Sequence, residues 1–554
     1  MRILLALFLV APAWAALSST VVAEVRPSGA NTNGGAFNTA ASGTDMSQFD
    51  NKNASGCSSC QSASANLSTT DAVTNNTTTV TSATAAFTSA IVGNVIYLSG
   101  TGTTTGWYEV TGFTNSTTIT VDRATGSTGG TGVTMNIGGA FKIGGTLDDD
   151  FFESFEAGNI IYVKAGTYSV GENITISKAG STSNPIRVIG YNSTRGDTPK
   201  RSGATDNKPL LSFAAFTMTG GANWDFYNVA ASGTAATMWL MGSGNKILNC
   251  KFYNLSTTVD RVALSTGIDA FVGESEIVSL RGRALSLGNA SGFINGNYIH
   301  SSNEGIYLAF NNTYTILNNI IEDIVLNGIY INSANAVNLQ IIGNTIAGAP
   351  TVRASSTGIK FTTGTTDVRV INNIITGWAT GITHADTQSV GLDLNNAYYN
   401  NTANTSNWTI NSTSTTATNP SFTAHTLISG TGGTSSTNVL TAGSGTPFTS
   451  VVDGVDFVLV TSGSGTGFTT GVYPISAHDS TTLTLAWGST NFNLTSSGSG
   501  SSIAWEIVQG HDFSIGTGLK ALGFPVGWIG LTTNYLDIGA AQRQEAGGGG
   551  TRIY

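Results

Sequence analysis

The central part of the chain repeats one arrangement of apolar and polar positions: two apolar residues, a variable one, Asn, a variable one, then an apolar residue. It reads Ile316-Leu317-Asn318-Asn319-Ile320-Ile321, Ile341-Ile342-Gly343-Asn344-Thr345-Ile346 and Val370-Ile371-Asn372-Asn373-Ile374-Ile375. Weaker copies are Ile294-Asn295-Gly296-Asn297-Tyr298-Ile299 and Ile247-Leu248-Asn249-Cys250-Lys251-Phe252. From Asn297 through Asn319 and Asn344 to Asn373 the steps are 22, 25 and 29 residues. A second motif follows each copy, a small residue and then Ile: Gly305-Ile306-Tyr307-Leu308, Gly328-Ile329-Tyr330-Ile331, Gly358-Ile359-Lys360-Phe361 and Gly381-Ile382-Thr383. A repeat of roughly 23 residues holding two or three short strands predicts a coiled parallel β-solenoid. Ile and Val alternate into a narrow dry core. Asn and Gly occupy the turns because they tolerate left-handed backbone angles, and stacked Asn side chains hydrogen-bond from coil to coil. Residues 145–405 would hold about ten coils, a rod about 50 Å long at roughly 4.8 Å per coil.

A different pattern flanks the repeats. Residues 63–139 carry short alternating segments, among them Val95-Ile96-Tyr97-Leu98 and Thr118-Ile119-Thr120-Val121, separated by Gly, Asn and Ser. That is the signature of a small antiparallel β-module. The module recurs at 425–507: Phe87-Thr88-Ser89 matches Phe448-Thr449-Ser450, Tyr108 matches Tyr473, and Ser116-Thr117-Thr118-Ile119 matches Ser480-Thr481-Thr482-Leu483. The expected fold class is therefore all-β, a parallel β-helix with two duplicated antiparallel modules. The expected domains are a signal peptide at 1–15, an extended N-terminal arm at 16–62, the first module at 63–139 and the β-helix at 140–424. The second module at 425–507 reads as an insertion, followed by a closing coil or cap at 508–545 and a Gly-rich tail at 546–554. Leu147, Phe151 and Phe155 after Asp148-Asp149-Asp150 predict a short amphipathic cap over the first coil.

Composition narrows the function classes. Charged residues are only 10% of the 554, against roughly 25% in an ordinary soluble domain. This fits coils filled with β-branched residues and faced with small polar ones. A net charge of −9 argues against binding nucleic acid. Arg2, the apolar run Ile3 to Val10 and Ala13-Trp14-Ala15 read as a secretory signal cleaved after Ala15, with no membrane span in the mature chain. Cys57 and Cys60 form a lone CxxC, too few ligands for zinc, and read as a local disulfide or as functionless; Cys250 reads as a small buried hydrophobe.

The stretches Ile160-Ile161-Tyr162-Val163, Pro185-Ile186-Arg187-Val188-Ile189-Gly190-Tyr191 and the Asn-turn repeats resemble the right-handed parallel β-helix, pectate-lyase-like superfamily. So do Asn419-Pro420-Ser421-Phe422 and Leu536-Asp537-Ile538-Gly539. The resemblance implies an exported bacterial or phage-encoded surface protein. Its enzymes act mostly on acidic polysaccharides, but their motifs are missing here. Gly510-His511-Asp512 breaks the His motif of the galacturonase type, and the carboxylates are scattered. No catalytic residue carries over.

The residue after each Gly-Ile is expected to face outward. This gives a column of Trp239, Asp269, Ser286, Tyr307, Tyr330, Lys360 and Thr383, with Arg353 on the long turn from Ala347 to Thr357 at its edge. Aromatic faces beside polar groups suit sugar rings, and Arg353 with Lys360 suits an acidic sugar. The plainer alternative is that Tyr simply ladders well in sheets. His300 with Glu304, and His384 with Asp386, read as solvated surface pairs. The expected partner is a polysaccharide or cell-surface glycan, bound without cleavage. The alternative is a lyase or glycoside hydrolase working in the groove. No cofactor is expected, apart from calcium if the protein is a lyase. The sequence is silent on oligomeric state.

Overall fold

The computed structural model describes residues 17–39, 45–48, 68–126, 128–144, 151–197, 208–256, 258–288, 291–309, 313–333, 338–348, 355–362, 364–365, 367–386, 391–416, 428–436, 439–451, 457–465, 471–485 and 499–508. The expected signal peptide, the Cys57–Cys60 pair, Asp148–Asp150, Arg353, Asn419–Phe422 and everything after Val508 lie outside them. The chain divides into two units, residues 1–198 with 221–225, and residues 199–220 with 226–554.

In the first unit, strand Val21–Val25 runs parallel to Ile160–Lys164, which in turn pairs in parallel with Ile186–Tyr191. Ala23, Ile161 and Val188 share one register position and are buried. Residues 16–62 are therefore not simply an extended arm, as the polar composition suggested. Val21-Val22-Ala23-Glu24-Val25 is short but wholly buried, and it forms a rung of the β-helix. Its one carboxylate, Glu24, is neutralised by Arg26 at 2.8 Å and Arg195 at 2.6 Å and accepts the Tyr191 hydroxyl. That arrangement is what a fully buried charge requires.

Between those strands the chain closes a six-stranded antiparallel barrel from Ser68–Thr74, Thr79–Thr81, Thr118–Val121, Gly106–Asn115, Val95–Ser99 and Gly130–Ile137, in that order around the circuit. Phe87, Ile96, Tyr108, Ile119 and Met135 fill it. Trp107, next to Tyr108, instead meets Phe141 edge-on at 5.0 Å, and Phe141 meets Phe151 at 5.5 Å. Phe151 and Phe155, the described part of the expected cap, are buried and touch each other at 5.0 Å.

In the second unit one parallel sheet contains Lys246–Leu248, Ala270–Gly273, Ser291–Asn295, Thr313–Leu317, Leu339–Ile342, Val368–Ile371 and Leu392–Leu394. Ile247, Val272, Ile294, Ile316, Ile341 and Val370 stack inward along it. In the facing sheet Ile306, Ile329, Ile359 and Ile382 lie in register and are fully buried, as the Gly-Ile motif predicted. The turn between the sheets takes a left-handed residue (Gly296, Asn318, Gly343, Asn372) and then the ladder residue. The backbone N–H of Asn297 donates to Asn319 Oδ1 at 2.9 Å. Asn319 repeats this onto Asn344, Asn344 onto Asn373 and Asn373 onto Asn396. Cys250 belongs to the same ladder, its N–H donating to Ser275 Oγ at 3.1 Å. Burial pushes its thiol up to about 12, so it is a buried filler.

In the last described strand of this sheet, the inward position that follows Val370 holds Asp393. It accepts the hydroxyls of Tyr398 and Ser414 and the Trp408 indole N–H at 3.1 Å, while Trp408 stacks on Phe361 at 5.4 Å. Asp393→Ala strips acceptors from these buried donors. It is expected to cost about 3 kcal/mol, at 1–3 kcal/mol per orphaned group, read as a lower urea midpoint by far-UV circular dichroism.

The second barrel repeats the circuit of the first with Ser429–Ser436, Val439–Thr441, Thr482–Leu485, Gly471–His478, Phe457–Gly465 and Ser499–Val508. Ile96 lies opposite Tyr108 in the first barrel, and Val458 opposite Tyr473 in the second. The same turn also recurs. Asn115 accepts the Thr117 N–H at 2.9 Å, and Asp479 accepts that of Thr481 at 2.6 Å. The second barrel's core, including Leu440, Phe448, Leu483 and Trp505, is continuous with Tyr253, Leu255, Val278 and Leu280 of the β-helix in the same unit.

Candidate functional site

The register gives the outward column directly. Ser286, Tyr307, Tyr330, Lys360 and Thr383 lie opposite one another on successive strands. The earlier members differ from the sequence expectation. The residues in register are Leu240 and Ser265, not Trp239 and Asp269. Trp239 stacks inward with Leu264 and Leu285. It is fully buried, with Phe226 and Phe252 edge-on at 5.0 and 5.2 Å. No Gly-Ile motif marks that coil, and the wide core there takes a Trp among Phe rings. Asp269 lies in a turn with φ of +52°, just before strand Ala270–Gly273, and accepts the Ser291 hydroxyl. Arg353 is outside the described residues.

Tyr307 and Tyr330 meet edge to face at 5.4 Å. Tyr307 is not exposed, as the outward position had suggested: only 7% of it is accessible, and the Arg283 guanidinium lies 3.6 Å above its ring. Arg283 is held by Glu304 at 2.9 Å, and Glu304 also accepts from Asn327 at 3.0 Å. Asn332 donates to the Tyr307 hydroxyl at 2.7 Å and accepts that of Tyr330 at 3.2 Å. Tyr330 and Lys360 are half-buried, with Lys360 Nζ 4.8 Å from the Tyr330 ring centre. Partial burial, then Tyr307 and Glu304 beside it, push the Tyr330 phenol above its ordinary value, so it stays a neutral donor. A ligand would meet one aromatic face, one ammonium and the Asn332 amide, while Tyr307 braces them from beneath.

A second polar group escaped the sequence reading. Lys251, Glu276 and Tyr298 share one register column, and Tyr253, Val278, His300 and Glu322 the next. Glu276 and His300 are nearly inaccessible. His300 does not form a solvated pair with Glu304. Its Nε2 lies 3.2 Å from Glu276 Oε1, its Nδ1 lies 3.0 Å from Ser301 Oγ, and its ring stacks on Tyr298 at 4.1 Å. Lys251 Nζ is 3.5 Å from Glu276 Oε2, and Tyr253 donates to Oε1. Burial alone would raise the Glu276 carboxyl, but Lys251, His300 and Tyr253 outweigh it and hold it at about 2. Tyr298 donates to Glu322, and burial together with that carboxylate lifts its phenol well above the ordinary range. The available signal was position: Lys251 and Glu276 directly follow the ladder residues Cys250 and Ser275. His384 is buried too, accepting the Asp386 N–H at 3.1 Å. Among the described residues no three His, Cys, Asp or Glu side chains converge to hold a metal ion. No helix among them is long and apolar enough to cross a membrane.

Coils with an Asn ladder and an aliphatic core define a parallel β-helix. Residues 214–403 match the family model described as a right handed beta helix region. Among solved structures the chain is similar to the A-module of a mannuronan C-5 epimerase from Azotobacter vinelandii. Identity is 14% and the TM-score 0.36, over 48% of this chain and 76% of that one. It is also similar to a pectate lyase, at 14% identity and TM-score 0.32, over 47% and 74%. A third is a mannuronic acid specific family 6 polysaccharide lyase from human gut microbiota, at 12% and 0.29, over 47% and 74%. No curated protein matches the sequence.

Proposed function

We propose that this is an exported β-helix protein that binds a polysaccharide or cell-surface glycan on the face of Tyr330 and Lys360 and leaves the glycosidic chain intact. The observation that carries this reading is the pairing of Tyr330 and Lys360. A half-open aromatic ring with an ammonium 4.8 Å from its centre and an amide beside its hydroxyl offers a sugar ring both an apolar face and hydrogen-bonding edges. The ring's orientation is fixed from beneath by Tyr307, Arg283 and Glu304, so little ordering remains to be done on binding. The twin barrels would serve attachment.

A glycan array on the purified chain, followed by calorimetry with the best ligand, tests this. One stacking contact is worth on the order of 1 kcal/mol, so Tyr330→Ala should weaken binding about fivefold. The melting temperature should change little, because the side chain lies outside the core. Binding unchanged by Tyr330→Ala would remove the surface from consideration.

A further inference from the structure

Two neighbouring coils place Glu276, His300 and Ser301 in line. Glu276 is ionised and can only accept, so the imidazole nitrogen facing it at 3.2 Å, Nε2, carries the proton. In the neutral ring the lone pair then lies on Nδ1, and Nδ1 faces Ser301 Oγ at 3.0 Å. The imidazole is fixed on its flank by the Tyr298 ring, 4.1 Å away and tilted 23°. The carboxylate is fixed by the Tyr253 hydroxyl and by Lys251. A serine hydroxyl, a neutral base and an anion that orients the base are the parts of an activated nucleophile.

Ser301 is also unusual among the coils whose backbone turns left-handed at this corner, although the equivalent Ser279 of the preceding coil does not turn so. The next coil uses Asp323 there, after Glu322, the partner of His300. Farther along, Gly377 and Asn400 follow the paired Thr376 and Tyr399. Gly, Asn and Asp adopt this conformation most readily. Ser301 adopts it with φ of +50° and points its hydroxyl at the imidazole.

We propose that Ser301, His300 and Glu276 form a nucleophilic relay that hydrolyses small carboxylic esters, such as an O-acetyl group. Ser301 Oγ bonds to the ester carbonyl carbon as its proton passes to His300 Nδ1. The bond from that carbon to the alkoxy oxygen then breaks, and the alcohol leaves with the proton from Nδ1. Water adds to the acyl-serine, giving its proton to Nδ1. The bond to Oγ breaks, Oγ recovers the proton, and the acid is released. Glu276 positions the imidazole throughout. Ser301 is enclosed, which restricts the acyl group to a small one and makes opening of this face part of each turnover. The inference does not depend on glycan binding at Tyr330.

The test uses the full chain with 4-nitrophenyl acetate for turnover and a small alkyl fluorophosphonate for mapping. The expected result is hydrolysis above the buffer rate, with the phosphonyl group on the peptide containing Ser301. Ser301→Gly suits the left-handed corner and keeps the fold, and it should abolish labelling and lower turnover at least 100-fold. His300→Gln should lower turnover by about 100-fold or more. Glu276→Gln, assayed where circular dichroism shows it folded, should lower kcat and shift the pH profile with KM unchanged. Absence of label on Ser301 in the parent chain, or turnover unchanged in Ser301→Gly, overturns the proposal.

Discussion

Asn319→Ala is expected to remove about 4 kcal/mol of stability. Asn319 sits in the middle of the ladder and is fully buried. Its Oδ1 accepts both the backbone N–H and the side-chain N–H of Asn297, each at 2.9 Å. Its Nδ2 donates to Ile294 O and to Asn344 Oδ1, each at 3.0 Å. Alanine leaves the Asn297 N–H with no acceptor from the next coil. It also removes one partner each from the Asn297 amide and the Ile294 carbonyl. At 1–3 kcal/mol for each buried group left unsatisfied, the sum is about 4 kcal/mol. Asn319→Asp should do no better, since its second oxygen would face two acceptors where Nδ2 now donates. The check is the urea midpoint followed by circular dichroism. A loss below about 1 kcal/mol would mean that the ladder is ornamental and that the Ile stacks alone hold the coils.

Glu276→Gln is the second large effect, expected at about 3–5 kcal/mol near neutral pH, because it removes a buried carboxylate that lies 3.5 Å from the buried Lys251 ammonium. The variant should also lose part of the parent's acid sensitivity. Folding lowers the Glu276 pKa from an ordinary 4.5 to about 2, so the unfolded chain binds this proton more tightly than the folded one. The stabilisation is therefore complete above about 4.5 and disappears as the pH falls through about 2. The difference of about 2.5 units is on the order of 3 kcal/mol. Between pH 6 and pH 3 the parent should lose more stability than Glu276→Gln, and the two urea curves should converge. Parallel pH dependences would show that the carboxylate is not held ionised by its neighbours.

Much of this protein could be read from one dimension. The Ile-x-Asn spacing specifies which residues turn, which stack inward and which face out, because each coil repeats the same local rule: left-handed residue, ladder amide, apolar inward residue. Hence Asn297, Asn319, Asn344 and Asn373, and Ile306, Ile329, Ile359 and Ile382, are where the pattern puts them. The duplication of the barrels was legible for the same reason, as was the run Tyr307, Tyr330, Lys360.

Other features were decided only by packing. Trp239 took the inward position because its neighbours in space, Phe226 and Phe252, leave room for an indole, and no motif in its own coil records that. Val21–Val25 became a β-helix rung because it pairs with Ile160–Lys164, more than a hundred residues away, across a whole inserted barrel. The meeting of His300 with Glu276 depends on side chains from coils 24 residues apart approaching across one sheet. Periodicity fixes which residues share a column, but not which of those columns another part of the chain will cover. That depends on long-range contacts, which leave no regular trace in the order of the residues.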